Sequence, residues 1–514
     1  MRERPLLWSH GIAGAIGSAV LAIGALGLGW LPPLFNVESS PVVGLLHTTS
    51  LGEGISRVAV LVGGALLLQS WLLLGAGILG RTAVPLRSLR NVLALWILPT
   101  VLVPPLFSRD PYSYFVQGRL LQMGLDPYTH GAASVPGWFR AGVDPMWAET
   151  PTPYGPLYLL LQHAVVNIAG TPYWSAIGFR LIAILGIGMM AHYVPKLAQL
   201  HGIDPAAATW LAVMNPLVLL HFSLGGHNDA LMVGLMLAGL YHAMRRHPVP
   251  TVLLLAAAVA VKPIALLVVP FASLLFLRRD AHAWRRWLAY ATSGVLVLSL
   301  VLIVGLATGV RWGWIQALTT PGSVRTWLSP STAIGMAIGL VGDAFGNRGL
   351  DAVAVTSVRL AFMAVAIAIC AWLLLRPQGR SPVRGALLAF TVVIALGPVV
   401  QPWYLLWALP LVAVSGMNRS WHLKATVLGT AGFVIYALAE PAATSDPHLD
   451  LFDSLGIVMA VATVLLVLLA SPRERELAIG NQFAHGLSPL DDDARRVAKG
   501  LVVRSVPTPG SDTP

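Results

Sequence analysis

The sequence predicts an all-α, polytopic integral membrane protein, and three observations predict it. Hydrophobic residues make up 56% of the 514 residues, while Asp, Glu, Lys and Arg make up only 11%, against roughly 25% charged in a soluble domain. Mean hydropathy is +0.73. Apolar runs recur at or near the roughly 18 residues needed to cross a bilayer core. A net charge of +11 does not mark a nucleic-acid binder, because the basic residues fall in short clusters between apolar runs rather than on one stripe. The single cysteine, Cys370, lies inside an apolar run, so no intrachain disulfide is possible and it reads as a small core residue.

From the N-terminus, Arg2 and Arg4 precede an apolar stretch at 11–30 that is too long for a signal h-region and reads as a retained first span. Further runs follow at 55–80, 91–107, 173–195, 206–223, 230–244, 251–277, 287–309, 351–375, 386–400, 405–416, 425–440 and 451–470. Basic clusters lie between them: Arg81, Arg87 and Arg90; Arg245 and Arg246; Arg278, Arg279, Arg285 and Arg286; Arg376, Arg380 and Arg384; Arg419 and Lys424. The positive-inside rule makes these cytoplasmic. The run 251–277 has a basic cluster at both ends, so it is expected to be a hairpin broken at Lys262-Pro263. The run 332–345 must fail to cross and reads as re-entrant or interfacial. This gives about 14 traversals, in a range of about 12–15 helices, with both termini inside. Residues 1–470 form the membrane domain. The tail 471–514, with Asp491, Asp492, Asp493 and several Pro and Gly, reads as a disordered cytoplasmic end. Most acidic residues fall outside, among them Glu38, Glu53, Asp110, Asp126, Asp144, Glu149, Asp229, Asp343, Asp351, Glu440, Asp446, Asp450 and Asp453. The chemistry is therefore expected to face outward.

The long external loop 108–171 is crowded with aromatics, including Tyr112, Tyr114, Phe115, Tyr128, Trp138, Trp147, Tyr154 and Tyr158. Rings beside carboxylates suit sugar recognition, since pyranose CH faces pack on rings while polar groups take the hydroxyls; an interfacial aromatic belt is the alternative. Asp110-Pro111-Tyr112 opens a stretch with Phe115, Val116, Leu120 and Met123 at helical spacing and Gly124 as a stop, expected to lie on the outer surface. Asp110 is either its N-cap or a general base for an acceptor hydroxyl. Asp126-Pro127-Tyr128 repeats the pattern and makes Asp126 the competing base. Gly225-Gly226-His227-Asn228-Asp229 places three polar side chains in one turn, more than the turn requires; they suit sugar hydroxyls, a phosphate or a metal, although His227 and Asp229 alone under-ligate a metal. Of 33 basic residues only Lys196, Lys262, Lys424 and Lys499 are lysines, and Lys262 alone falls within an apolar run. An intramembrane cation marks a site more often than a strut, and this one is placed to balance a phosphate, with Arg325 of the external loop 312–331 assisting. Gln401-Pro402-Trp403-Tyr404, with Trp407 one turn on, reads as a substrate wall or an interfacial anchor. Pro153-Tyr154-Gly155-Pro156 reads first as a rigid turn. No Walker loop, Rossmann fingerprint or zinc spacing appears.

Taken together, Phe107-Ser108-Arg109-Asp110 with Tyr112-Ser113-Tyr114, Gln117-Gly118, Gly124-Leu125-Asp126-Pro127-Tyr128, Pro153-Tyr154-Gly155-Pro156, Asn215-Pro216-Leu217-Val218-Leu219 and Gly226-His227-Asn228 resemble a known family. It is that of the actinobacterial polyprenol-phosphate-mannose-dependent α-1,6-mannosyltransferases, membrane glycosyltransferases of the GT-C type. The resemblance implies a GT-C helical bundle, a polyprenyl-phosphate-mannose donor, a lipomannan or lipoarabinomannan acceptor, and a plasma-membrane location with the site facing out. It matches Asp110 to the catalytic acid of the first large external loop; here Pro111 follows, where GT-C enzymes often carry a second acid. The mechanism expected is a single inverting displacement. Asp110 takes the proton of a mannose 6-hydroxyl, Lys262, His227 and Arg325 meet the leaving phosphate, and Arg109, Tyr112, Gln117, Asp126, Tyr154, Asn228, Asp229, Gln401, Trp403 and Tyr404 hold sugar and acceptor. No cofactor or obligatory metal is expected. Arabinofuranosyl or glucosyl transfer is the nearest alternative, followed by a lipid or sugar transporter; a transporter predicts internal repeats and mid-membrane carboxylates, and the acids lie almost all at span ends.

Overall fold

The structure, a computed structural model, describes residues 4–32, 40–80 and 84–442 apart from Arg279, Arg348, Gln378 and Asn418, together with Pro472 and Leu487. The expected span 451–470 lies outside the described residues, as do Glu38, Arg81, Asp446, Asp450, Asp453 and, those two residues aside, the tail 471–514.

Helices follow one another as α1 (Arg4–Leu28), α2 (Pro41–Thr48), α3 (Ser50–Leu79), α4 (Leu86–Ile97), α5 (Asp110–Gln122), α6 (Pro156–Ala169), α7 (Pro172–His201), α8 (Pro205–Ala212), α9 (Asp229–Met244), α10 (Pro248–Val261), α11 (Val269–Leu274), α12 (Ala283–Ala307), α13 (Pro330–Ala344), α14 (Leu350–Leu375), α15 (Pro382–Leu396), α16 (Leu405–Ser415) and α17 (Ser420–Ala442). No strand occurs among the described residues. Six helices, α1, α3, α7, α12, α14 and α17, are long and apolar enough to cross a membrane, and this is a polytopic, all-α membrane protein. The remaining apolar segments counted from the sequence are shorter helices, including α6, α9, α10, α15 and α16.

Prolines set several of the breaks. The run 91–107 is not one helix: α4 ends at Ile97, and Pro99, Pro104 and Pro105 carry the chain in irregular form to Asp110. The run 206–223 breaks at Asn215-Pro216 and resumes as a π-helix, Val218–Leu224. The irregular segment after α4 and the end of the π-helix leave carbonyls open, and the fully buried Arg180 of α7 answers them, donating to Val101, Val103, Ser223 and Leu224. The hairpin forms at Lys262-Pro263. The residue before a proline is driven out of the helical region, and Lys262 is extended (φ −146°, ψ 117°) between α10 and the 3₁₀ turn Pro263–Val268. Its two ends close, with Arg246 donating to the carbonyl of Phe276. The helix α13 spans 15 residues and packs on α14; at 1.5 Å per residue it is about 22 Å long, short of the ~30 Å hydrocarbon core.

The expected surface helix is instead a buried one. Tyr112, Ser113, Tyr114, Phe115, Val116, Gln117, Gly118 and Leu120 of α5 are all buried, against α6 and α7 among others. The apolar spacing was legible, but Tyr114 and Gln117 on the other face also pack inward, so no polar stripe remains to face water. Gly124 does stop the helix, at φ +72°.

The height of α9 is fixed by direct backbone contact with α7: a Cβ at Gly186 would lie 2.3 Å from the carbonyl of Ala230. Asp229 thus begins α9 level with the middle of α7, while Arg245 and Arg246 follow its other end, about 24 Å away for 16 residues. Arg90 reaches the carbonyl of Ala191, and Arg384 and Arg419 lie near His422. The start of α5, the start of α9, the hairpin break and the segment before α16 converge on a cavity.

Candidate active site

A cavity of about 400 Å³ is lined by Arg109, Asp110, Tyr154, Lys262, Gln401, Trp403 and Tyr404 of the sequence-predicted residues. Trp30, Asp144, Trp147 and Trp407 join them.

Asp110 does not cap its helix. Arg109 is the N-cap, the Asp110 amide donates to Ser108 Oγ at 3.0 Å, and the carboxylate is left free to enter the site. There its Oδ2 lies 3.2 Å from His227 Nδ1, 3.4 Å from the Tyr154 hydroxyl and 3.5 Å from the Tyr114 hydroxyl, with 15% of the side chain exposed. Burial raises its pKa, but His227, Lys262 and the Tyr154 hydrogen bond outweigh that and hold it below the ordinary carboxylate value. Burial first, reinforced by neighbouring groups including Asp110, pushes Tyr154 and Tyr114 well above the usual tyrosine range, so both remain donors. Asp110 is therefore an ionised, partly exposed base held by donors on one oxygen.

Beneath this wall lies a second carboxylate. Asp229, fully buried, takes Lys262 Nζ at 2.7 and 2.9 Å and the Trp407 indole at 2.6 Å. Three rings surround the ammonium, Tyr154 at 5.8 Å, Tyr404 at 5.6 Å and Trp407 at 5.3 Å, and Tyr404 stacks on Trp407. Two Lys262 hydrogens serve Asp229 and the third is free for the cavity. His227 stacks on Trp403 with ring centres 4.0 Å apart.

Several expected roles move. His227, Asn228 and Asp229 are fully buried and absent from the cavity wall, so they support the wall rather than touch its contents. The left-handed Gly226, at φ +64°, gives the turn that drives them inward. Arg325 is exposed and paired with Asp351, outside the cavity. Asp126 accepts the Tyr128 amide at 2.9 Å, a turn contact away from the cavity. Tyr112 donates to the carbonyl of Trp30, and Gln117 accepts from Gln162 at 2.9 Å; both are buried struts of the packed α5. Arg109 donates to the carbonyls of Gly142 and Val143 at 2.7 and 2.8 Å and lies over Trp30 at 4.4 Å, folding the loop after α5 onto the cavity rim.

His221 went unread, although a polar residue inside an apolar run was the signal. It is buried beside Trp403 (5.4 Å) and His227 (6.1 Å). No group of three or more His, Cys, Asp or Glu able to hold a metal occurs among the described residues.

Gly155 joins the loop to the hairpin, its amide donating to the Val261 carbonyl at 3.0 Å, and a Cβ there would lie 2.3 Å from the Ala260 oxygen. Gly155→Ala is expected to push Tyr154 and Lys262 apart and to lower stability by about 1–3 kcal/mol. Thermal unfolding in detergent checks it; an unchanged midpoint contradicts the contact.

Residues 11–278 match the family model described as Alpha-(1->6)-mannopyranosyltransferase, N-terminal domain, and residues 331–445 match MptB C-terminal domain. A probable α-(1→6)-mannopyranosyltransferase of Mycolicibacterium smegmatis is 34% identical, over 89% of this chain and 87% of its own. An α-(1→6)-mannopyranosyltransferase of Mycobacterium tuberculosis is 33% identical, over 89% and 86%. A second from that organism, α-(1→6)-mannopyranosyltransferase A, is 30% identical, over 82% and 83%. No solved structure matches. The chain belongs to the α-(1→6)-mannopyranosyltransferase family and is a membrane glycosyltransferase.

Proposed function

We propose that this chain moves mannose from a polyprenyl-phosphate-mannose donor to a mannan hydroxyl with inversion, extending the α-1,6 backbone of a lipomannan-type acceptor. The cavity's mixed lining carries this reading. Asp110, Arg109 and Lys262 supply charged groups, and Ile264, Leu318, Val393 and the membrane-helix residue Met363 supply apolar surface. A ligand with a sugar phosphate at one end and a hydrocarbon at the other matches both. The activity of the family's members supports mannose as the sugar and α-1,6 as the linkage. Basic clusters at the opposite end support a cavity that faces the extracytoplasmic side of the plasma membrane.

In the proposed step, Asp110 accepts the proton of the acceptor hydroxyl as its oxygen bonds to the anomeric carbon and the bond to the phosphate oxygen breaks. The polyprenyl phosphate leaves with the electron pair, near the free Lys262 hydrogen. Tyr154, Gln401, Trp403 and Tyr404 frame the sugars. The phosphomonoester leaving group needs less metal help than a pyrophosphate would.

Donor choice tests the reading. Membranes containing the chain are expected to transfer labelled mannose to a short α-1,6-mannoside from the lipid donor and not from a nucleotide-linked mannose. Transfer from the nucleotide donor alone would overturn it.

His227 also predicts a pH effect. The ionised form of Asp110 is lost as pH falls through its lowered pKa, so the acid limb of kcat/KM lies at low pH. His227→Ala removes a lowering influence and leaves burial dominant, so that limb is expected to move to higher pH. An unmoved limb contradicts the pairing.

A further inference from the structure

At the end of the bundle away from the cavity, α7 and α9 present a cluster of basic and aromatic groups that the proposed reaction does not use. Lys196 Nζ lies 2.7 Å from His192 Nε2 on the preceding turn of α7, and above the rings of Tyr193 and Tyr241 at 5.8 and 5.3 Å. From α9 and the turn after it, His242 and His247 bring their Nδ1 atoms within 3.4 Å of each other, and His242 packs against Tyr193.

Arg90 of α4 is drawn in by a backbone defect. Pro195 has no amide to donate to Ala191, four residues earlier in α7, and Arg90 Nε donates to that carbonyl at 3.3 Å. Its charge then acts on His192 together with that of Lys196. None of Arg90, His192, Lys196, His242 and His247 forms an ion pair with a carboxylate among the described residues. The partial negative charge at the end of α9 acts on His242, which lies in its last turn. The imidazoles do not converge as metal ligands, since no metal-binding group occurs among the described residues.

The charges of Lys196 and Arg90 are gathered without an acid, and an anion between them relieves their repulsion, with neighbouring imidazoles able to donate to it. The groups are exposed or half-buried, so an anion has access. They sit near the end of a 30-residue membrane-crossing helix, α7, beside two tyrosines of the kind that mark the lipid-water boundary. Basic pockets between membrane helices suit lipid headgroups. We propose that this cluster binds the phosphate group of an anionic membrane lipid. The ammonium and guanidinium meet the phosphate oxygens while Tyr193 and Tyr241 lie against the glycerol region.

Native mass spectrometry of the full-length chain in a neutral detergent tests this, with dioleoyl phosphatidylglycerol and dioleoyl phosphatidylcholine as probes. The chain is expected to retain phosphatidylglycerol over phosphatidylcholine. His192→Gln with Lys196→Gln is expected to weaken that binding about tenfold, while Lys196→Arg keeps it. His247→Gln, on the exposed turn after α9, is expected to weaken binding without altering α7, which covers a double variant that fails to fold. Equal retention of the two lipids overturns the proposal, as does unchanged retention in both neutralised variants. Displacement by inorganic phosphate alone at millimolar concentration assigns the cluster to free phosphate and overturns the lipid source.

Discussion

Asp110→Asn is expected to reduce mannosyl transfer by about 100- to 10,000-fold, the span of a lost general base, while leaving the fold intact. The substitution keeps the shape and the start of α5, because Arg109 rather than Asp110 is the N-cap. It removes the one carboxylate that both lines the cavity and accepts from two tyrosine hydroxyls on Oδ2, with His227 Nδ1 3.2 Å away. Asp126→Asn is the contrast. Its carboxylate serves a turn amide outside the cavity, so its rate is expected to stay near wild type. Initial rates at matched amounts of folded protein separate the two; a reversed order would move the base to Asp126.

The second large effect concerns the Lys262–Asp229 pair. Its side chains are 13% and 1% exposed, so either partner left alone is a nearly buried charge. Lys262→Met and Asp229→Leu are each expected to lower stability by about 3–5 kcal/mol. The double variant is expected to recover only part of this, because the Trp407 indole that now donates to Asp229 at 2.6 Å would lose its acceptor at a cost of about 1–3 kcal/mol. Activity is expected to stay lost in Lys262→Met and in the double variant, since the leaving phosphate loses its cation, and to fall in Asp229→Leu, which keeps the cation but removes the carboxylate that positions it. Thermal unfolding in detergent with a double-mutant cycle measures the coupling; single variants that lose under about 1 kcal/mol would show the pair to be solvated.

Much of this arrangement was legible in the sequence because it rests on strong local rules. Lys262 before Pro263 announced the break in 251–277, and the lone lysine of an apolar run falls on the cavity wall. Asp110 and the Gln401-Pro402-Trp403-Tyr404 segment were legible as polar chemistry at the ends of apolar runs. What escaped was long-range. That Asp229 pairs with Lys262 joins positions 33 apart, and that His227 lies on Trp403 joins more distant ones still. Local pattern offered His227, Asn228 and Asp229 equally as ligand groups; only packing shows them buried beneath the wall. Arg325 looked like a helper because its loop is external, yet its charge is spent on Asp351. The buried face of α5 and the π-helix after Asn215-Pro216 likewise depend on what α6, α7 and the surrounding chain cover.

The stereochemistry of the product from purified protein tests the central claim most directly. Supplied with β-linked polyprenyl-phosphate-mannose and a synthetic α-1,6-mannoside, the chain is expected to give a product one mannose longer, with the new anomeric centre α and the new bond at the 6-position by NMR. A β-linked product would contradict the single displacement at Asp110, and no elongation by active, folded protein would contradict the donor and acceptor assigned to the cavity.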